Sequence, residues 1–368
     1  MLSGGLPSEL FNCRSLKMLL LSKNNFDGKI NGGSTPPSFT QLANLIYLDL
    51  AHNNFIGLWD LSVLLLSLPN LEILSLSYSG LIVVSNNNTR YVNHKLRYLL
   101  LASCNLHVFP ESLRALKNLT NLNLSSNNIH GRIPDWTQEI GGNGLRYLDL
   151  SNNFITSLHA RFQWDELDSL NLQSNQIQGP FPPSICSMSN LMYLDMSNNS
   201  FDGVLPQCFG SITSSLLVVD MGNNDFHGII PNVYECGRLE GLIMKGNRLQ
   251  GEVPRSLSKC QSLKILDLGN NQLNGTFPGW LGDLPELQLA STNHTCVFQR
   301  PRSSDHRCNR HLSSFCLAAA KEASISPEFK FPVVHAKESP SSPPFSSSLV
   351  SPSLFMAFIL IGDLVLYV

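Results

Sequence analysis

Leucine recurs along this chain in a fixed pattern of hydrophobic and polar positions, Leu-x-x-Leu-x-Leu-x-x-Asn-x-Leu, found eleven times over residues 16–273. Successive ninth positions lie between 22 residues (Asn153 to Asn175) and 29 residues (Asn24 to Asn53) apart. This period is typical of solenoids with one turn per repeat. The ninth positions are Asn24, Asn53, Ser79, Cys104, Asn127, Asn153, Asn175, Asn199, Asn224, Asn247 and Asn271. The pattern therefore predicts one solenoid, although length alone would suggest two or three domains.

Each repeat places its leucines on one side of a short strand. In residues 145–150, Leu-Arg-Tyr-Leu-Asp-Leu, the leucines face one way, while Tyr147 and Asp149 point to the opposite, solvent side. Stacked repeats then form a parallel sheet over a continuous leucine core. We number the positions of a repeat from its first leucine. The ninth-position asparagine is expected to turn inward and satisfy backbone groups that strand pairing does not reach.

Several repeats continue into a tail with glycine and proline. Residues 129–134, 226–231 and 273–278 share a glycine for a tight bend and a proline that ends strand pairing. This sequence pattern resembles the plant-specific class of leucine-rich repeat. Within that class it is similar to receptor-like proteins, kinase-less cell-surface receptors that include the tomato leaf-mould and Verticillium resistance proteins, most strongly over residues 113–288. Pattern and resemblance predict an α/β leucine-rich-repeat solenoid. In this fold a curved right-handed superhelix carries a parallel sheet on its concave face and short 3-10 or irregular segments on its convex side.

The repeat pattern also sets the predicted domains. We expect a repeat domain over residues 1–290 with a partial first and a partial last repeat, a disordered Ser/Pro-rich tail over 291–348, and an apolar segment over 349–368. Because the chain starts partway through a repeat without a secretory leader, we expect a truncated member of the family. The apolar segment is open to three interpretations: a membrane span weakened by Pro352 and Asp363, a lipid-anchor signal, or an accidental tail.

Composition and motifs argue against enzymatic and nucleic-acid roles. Only 14% of residues are charged and the net charge is −2, which favours neither nucleic acid nor an anionic membrane surface. The sequence contains no kinase phosphate loop, His-Arg-Asp or Asp-Phe-Gly motif, and the Gly141–Gly144 cluster is expected to be a turn. We predict no enzyme, no cofactor and no metal site.

Aspartate recurs at the fifth position of five repeats, a row that could be mistaken for catalytic carboxylates. We expect these aspartates to be equivalent, exposed copies of one scaffold position. Catalytic pairs need two different environments, which equivalent copies do not provide. The five are Asp49, Asp149, Asp195, Asp220 and Asp267.

The chain has nine cysteines. Five of them lie in the segments between successive strands, namely Cys13, Cys186, Cys208, Cys236 and Cys260. Their recurrence favours small buried residues packed between turns over disulfides. A capping disulfide among Cys296, Cys308 and Cys316, which lie beyond the repeats, stays open, and the sequence does not fix its pairing.

Sequons of the type Asn-x-Ser/Thr permit a secreted glycoprotein without establishing one. Those at Asn123 and Asn198 arise from the repeat itself, and glycans there would crowd the concave face. The candidates are Asn87, Asn118, Asn123, Asn198, Asn274 and Asn293.

Side chains at the third, fifth, seventh and eighth positions are expected to cover the concave face, a strip roughly 50 Å long that suits a peptide or a protein loop. Most positions on this face are expected to carry Asp, Ser or Asn. Binding candidates are the aromatic and basic residues that replace these types, since Tyr and Arg are enriched at binding hot spots. Tyrosine at the third position is also common in the family as a structural residue. The candidates are Tyr47, His52, Tyr78, Arg97, Tyr98, Tyr147, Tyr193 and Lys245.

The resemblance implies a receptor ectodomain on the outer side of the plasma membrane. It would bind a peptide or protein and signal through a co-receptor kinase in defence or development, with the C-terminal apolar segment as a candidate membrane attachment. Two alternatives stay open. One is a secreted inhibitor of a microbial wall-degrading enzyme, similar to polygalacturonase-inhibiting proteins; the other is a truncated product without independent function. The repeats do not encode the identity of the ligand or whether this product is exported.

Overall fold

The computed structural model describes residues 1–30, 39–85, 93–158 and 164–292, and the backbone of 296–299. The chain divides into two compact units, Met1–Leu312 and Ser313–Val368, and every described residue lies in the first. The predicted apolar segment and almost all of the predicted Ser/Pro-rich tail thus lie outside the described residues. Within the described part, no helix is long and apolar enough to cross a membrane.

One long sheet runs through the repeats and confirms the predicted solenoid. Among the described residues it contains thirteen strands. They pair in parallel except for the last, Cys296–Gln299, which runs antiparallel to its neighbour. Fourth-position residues stand opposite one another, as Leu148 does with Leu170. The parallel strands are Met18–Leu20, Tyr47–Asp49, Ile73–Ser75, Tyr98–Leu100, Asn121–Asn123, Tyr147–Asp149, Ser169–Asn171, Tyr193–Asp195, Val218–Asp220, Gly241–Ile243, Ile265–Leu268 and Leu289–Thr292.

A second set of short strands follows the ninth position, on the other flank of each turn, and forms small parallel sheets between neighbouring repeats. Five of the described strands in this set contain the glycine of the repeat tail. They are Ser3–Gly4, Asn25–Phe26, Leu58–Asp60, Ile82–Val84, His130–Arg132, Phe154–Ser157, Gln178–Pro180, Ser200–Asp202, His227–Ile229, Arg248–Gly251 and Gln272–Leu273.

The return segments between strands are mostly single 3-10 turns, as expected. These are Ser8–Asn12, Phe39–Gln41, Glu111–Ala115, Asp135–Glu139, Pro183–Ser187, Arg255–Lys259 and Gly279–Asp283, with α-helices at Leu61–Ser67 and Phe209–Ile212. The longer α-helix forms because the buried Asp60 caps its first turn: its Oδ1 accepts from the N–H groups of Ser62 at 2.8 Å and Val63 at 3.2 Å.

The core lies between the sheet and the return segments, and the leucines of the repeat line it. Leu148 and Leu150 are 2% and 0% exposed, and burying such a side chain contributes roughly 1.5–3 kcal/mol. The last turn, expected to stop partway, still adds the strand Leu289–Thr292, because Ala290 fills the leucine position and is buried. A small apolar residue is enough to continue the core for one more turn.

Ninth-position asparagines form a ladder under the strands, as predicted. Asn153 Nδ2 donates to the carbonyl oxygens of Leu124, Leu150 and Ser151 at 3.0, 3.0 and 3.1 Å, and its Oδ1 accepts from the Ile129 N–H at 3.0 Å. One amide thereby satisfies backbone groups of two neighbouring turns. The shorter substitutes at this position make fewer hydrogen bonds within the described residues. Ser79 Oγ accepts from the Leu81 N–H at 3.3 Å, and Cys104 Sγ donates to the carbonyl oxygens of Leu76 and Ala102 at 3.3 and 3.6 Å.

The prediction that the recurrent cysteines are unpaired packing residues is wrong for four of them. Cys186 bonds to Cys208 and Cys236 bonds to Cys260, with Cα–Cα distances of 5.9 and 4.9 Å. Cys236 and Cys260 each stand three residues before the first leucine of a repeat, so they lie side by side in neighbouring turns, within disulfide reach. Cys13 is free and exposed. The capping disulfide that the sequence leaves open among Cys296, Cys308 and Cys316 involves side chains outside the described residues.

Candidate ligand-binding face

The concave face is the side of the long sheet opposite the leucine core, covered by third- and fifth-position side chains and continued by the seventh and eighth positions. Sequence reasoning expected its aspartates to be exposed and equivalent, and both expectations are wrong. Asp149 and Asp195 are 7% and 4% exposed, whereas Asp49 is half-buried. Side chains on adjacent strands stand only about 4.8 Å apart, so bulky neighbours cover the shorter aspartates.

These buried carboxylates serve the turn that follows each strand. Asp195 Oδ1 accepts from the backbone N–H and the hydroxyl of Ser197 at 2.9 and 2.7 Å, and Asp149 Oδ1 accepts from the Ser151 N–H at 2.9 Å. Burial, followed by the charge of Asp220, raises the pKa of Asp195 to about 7. Burial likewise raises the pKa of Asp149 and Asp220. The aspartates of this row therefore stabilise the turns, while burial of their charged carboxylates is electrostatically unfavourable.

Third-position tyrosines differ in how much of the ring reaches solvent. Tyr98 is almost covered at 5% exposure, Tyr47 and Tyr147 are half-buried, and Tyr193 is 38% exposed. The Tyr147 hydroxyl donates to Asp149 Oδ2 at 3.2 Å. Burial, with the Asp149 charge, places the pKa of Tyr147 well above its ordinary value. Of the four rings, Tyr193 offers the most surface to a ligand.

An aromatic pair stands at the eighth position of two neighbouring repeats. The rings of His52 and Tyr78 stack with centroids 5.2 Å apart and an interplanar angle of 14°. Tyr78 is 39% exposed, and its hydroxyl lies 3.0 Å from Ser126 Oγ. Both residues have positive φ, 51° and 54°, a conformation unfavourable for bulky side chains. Later repeats place Asn, Ser or Gly here, as at Asn152. This pair therefore carries aromatic surface at a site where the scaffold prefers a small polar residue.

Two further candidates occupy different surroundings. Lys245 lies on the concave face with its Nζ 3.9 Å from Asp267 Oδ2. Arg97 occupies a second position, so it lies at the sheet edge where the strands begin and not on the concave face. There it lines a cavity of about 540 Å³, which we call the basic depression, together with Glu72, His94, Lys95, Lys117 and Asn118. Gly141 lies in the wall of this depression, in the predicted turn, which is confirmed by the Gly144 N–H donating to the Gly141 carbonyl at 2.9 Å.

Sequence reasoning missed apolar side chains at one end of the face. Met18 and Leu20 are 40% and 46% exposed and stand beside Tyr47 and Asp49 on the next strand. Their signal was present in the alignment of repeats, because both depart from the polar background at the third and fifth positions. They extend the apolar surface that starts at Tyr47.

The sequons fall into different settings. Asn118 and Asn274 are exposed on the flanks, and Asn198 is exposed beside the concave face, where its Oδ1 accepts from Asn223 Nδ2 at 2.8 Å. Asn123 is only 7% exposed, and its Oδ1 accepts from the Ser125 N–H at 2.8 Å. Asn87 and Asn293 lie outside the described residues. Glycosylation at any of these sites stays a prediction.

Comparisons with known proteins agree with this architecture. The family model described as Leucine Rich Repeat matches residues 118–140, 144–163, 166–188, 190–212 and 262–284. Receptor-like protein 35 of Arabidopsis thaliana is 30% identical over 228 residues, covering 58% of this chain and 24% of that protein. Receptor-like protein 18 of the same plant is 31% identical over 316 residues, covering 75% of this chain and 34% of that protein. The chain thus spans about a quarter to a third of the length of these relatives.

A solved structure gives the same picture. The leucine-rich-repeat ectodomain of the Arabidopsis thaliana membrane receptor kinase GASSHO1/SCHENGEN3, solved in complex with CASPARIAN STRIP INTEGRITY FACTOR 2, matches with a TM-score of 0.67 and 32% identity. The match covers 80% of this chain and 38% of that one. From its repeats, its sheet and these relatives, the chain is a leucine-rich-repeat protein that is similar to the plant receptor-like proteins.

Proposed function

We propose that this chain is a ligand-sensing ectodomain of a plant receptor-like protein and that its concave face binds an extracellular peptide or protein. The observation that carries the proposal is the aromatic pair of the half-buried His52 and the exposed Tyr78, held at positive φ where the later repeats carry Asn, Ser or Gly. Together with Tyr47 and Tyr193 it places aromatic side chains along the strip, and tyrosine is enriched at binding hot spots.

The location we propose is the outer side of the plasma membrane. The disulfides Cys186–Cys208 and Cys236–Cys260 support it, because such bonds persist in oxidising compartments and are rare in the cytosol. The Arabidopsis ectodomain that it resembles belongs to a membrane receptor kinase. A kinase-less parent would signal through a partner kinase, in defence or development.

A peptide selection followed by paired substitutions tests the proposal. Peptides are selected from a displayed random library on the immobilised full chain, and their affinities are then measured by calorimetry. The variant His52→Asn/Tyr78→Asn removes both rings and installs the residue that other repeats carry at this position, so the scaffold stays intact. We expect affinity to fall by about tenfold or more, since truncating a hot spot costs roughly 2 kcal/mol.

Tyr234→Ala is the matched control, because Tyr234 is a tyrosine more exposed than Tyr78, at 59%, and lies away from the strands. Binding of the selected peptides should be unchanged by this substitution. Peptides that lose affinity through Tyr234→Ala and keep it in the His52/Tyr78 variant would contradict a concave binding face.

A further inference from the structure

The basic depression lies on the flank of the solenoid where the strands Tyr98–Leu100 and Asn121–Asn123 begin. It is a cavity of about 540 Å³ with cationic side chains from two neighbouring turns. Lys95, Arg97 and Lys117 supply positive charge, and the one carboxylate among its lining residues is Glu72. Such a concentration of cations stands out in a chain whose net charge is −2.

Two of the four cations in and beside this cavity already have a carboxylate partner. Arg114 and Lys117 share the carboxylate of Glu139, at 2.7 and 3.2 Å. Lys95 Nζ donates to the neutral Asn70 Oδ1 at 2.7 Å, which leaves its charge uncompensated. Arg97 makes no ion pair with any described residue.

The same row of the repeat shows how such a charge is otherwise balanced. Arg146 pairs with Asp168 of the next turn at 3.3 Å, and Lys264 pairs with Glu240 of the preceding turn at 2.7 Å. Arg97 has Glu72 at the equivalent place of the preceding turn, yet the two form no ion pair within 4 Å. Its guanidinium therefore keeps its planar set of donors available.

The residues that line the basic depression limit the class of ligand that it could bind. A guanidinium binds carboxylate, sulfate or phosphate oxygens through two parallel hydrogen bonds. Asn118 and Thr120 add polar groups, and neither Trp nor Tyr occurs among the described residues that line the cavity. A sugar ring would find no large aromatic side chain on which to stack, whereas acidic side chains of a peptide need only the cations.

We propose that the basic depression binds acidic side chains of a peptide or protein segment, with Arg97 as the main contact and Lys95 beside it. This site is separate from the concave face and does not depend on ligand binding there. Its affinity should fall with added salt, since Coulomb attraction between exposed charges is screened within about 10 Å at 0.1 M ionic strength.

Calorimetric titration with hexaglutamate tests the proposal. The full chain is produced without N-glycans, because Asn118 of one sequon lies in the cavity wall. We expect binding at low salt that weakens at high salt, and a loss of about tenfold or more in Arg97→Ala. Arg97 is exposed, so the fold should survive, and a far-UV circular dichroism spectrum of each variant confirms this.

Lys264→Gln is the matched control, because Lys264 occupies the same row and already has a carboxylate partner. Its affinity for hexaglutamate should equal that of the wild-type chain. Absence of hexaglutamate binding, or equal weakening by Arg97→Ala and Lys264→Gln, overturns the proposal. A uronate oligosaccharide of equal charge that binds more tightly than hexaglutamate through Arg97 overturns the assignment to an acidic peptide.

Discussion

Asp195 gives the stability of the solenoid a defined dependence on pH. Its pKa is raised from 3.8 to about 7, first by burial and then by the charge of Asp220. The folded chain therefore holds this proton more tightly than the unfolded chain. The resulting stabilisation is fully present below pH 3.8 and is lost as the pH rises through about 7. Burial acts in the same direction at Asp149 and Asp220.

The substitution Asp195→Asn removes the buried charge and keeps the acceptor. An asparagine Oδ1 can still accept from the Ser197 N–H, which Asp195 contacts at 2.9 Å. A pKa difference of about 3 units corresponds to up to about 4 kcal/mol between pH 4 and neutral pH. We expect the variant to be more stable than the wild-type chain at neutral pH by up to this amount, with little difference at pH 4.

Urea unfolding followed by circular dichroism at about pH 4.5 and about pH 7.5 measures the effect. Asp49→Asn is the control, because Asp49 makes the same turn hydrogen bond, to the Ala51 N–H at 3.1 Å, from a half-buried position. This control should shift the urea midpoint much less. A midpoint for Asp195→Asn at pH 7.5 equal to or below that of the wild-type chain would show that the buried Asp195 charge does not destabilise the fold.

Three further predictions concern the scaffold and its surface. Asn153→Ala leaves three carbonyls and one N–H without this partner and should cost about 2–4 kcal/mol in urea unfolding, whereas the exposed Asn190→Ala should change stability by less than about 0.5 kcal/mol. Cys236→Ser opens a disulfide that joins residues 24 apart and should cost about 3 kcal/mol; an unchanged Tm, measured with and without reductant, would contradict that pairing. In the chain secreted from plant cells, glycopeptide mass spectrometry should find a glycan on the exposed Asn274 and none on the buried Asn123. The reverse pattern would show that burial does not control glycosylation of these two sites.

The repeat ladder made the fold predictable. A leucine at the first, fourth and sixth positions leaves one strand register that buries all three, so the sheet and the inward Asn153 followed from spacing alone. Ala290 shows the limit of this reasoning, because its small side chain continues the core without matching the leucine pattern.

Contacts between turns were harder to predict because they join residues more than 20 positions apart. The Cys236–Cys260 bond joins two equivalent positions of neighbouring turns, which the sequence displays only after the repeats are stacked. Burial of Asp195 depends on the bulk of the side chains around it, and the location of Arg97 in a flank cavity depends on its second position in the repeat. A sequence pattern assigns a side chain to a face, while neighbouring turns determine how much of it solvent reaches.

The most direct test of concave-face recognition is a crystal structure of the full chain bound to a peptide selected on it. We expect the peptide to lie along the concave face with side chains against His52 and Tyr78 and to reach toward Tyr193. A peptide bound to the return segments, with the His52–Tyr78 pair left in solvent, would rule out recognition by the concave face.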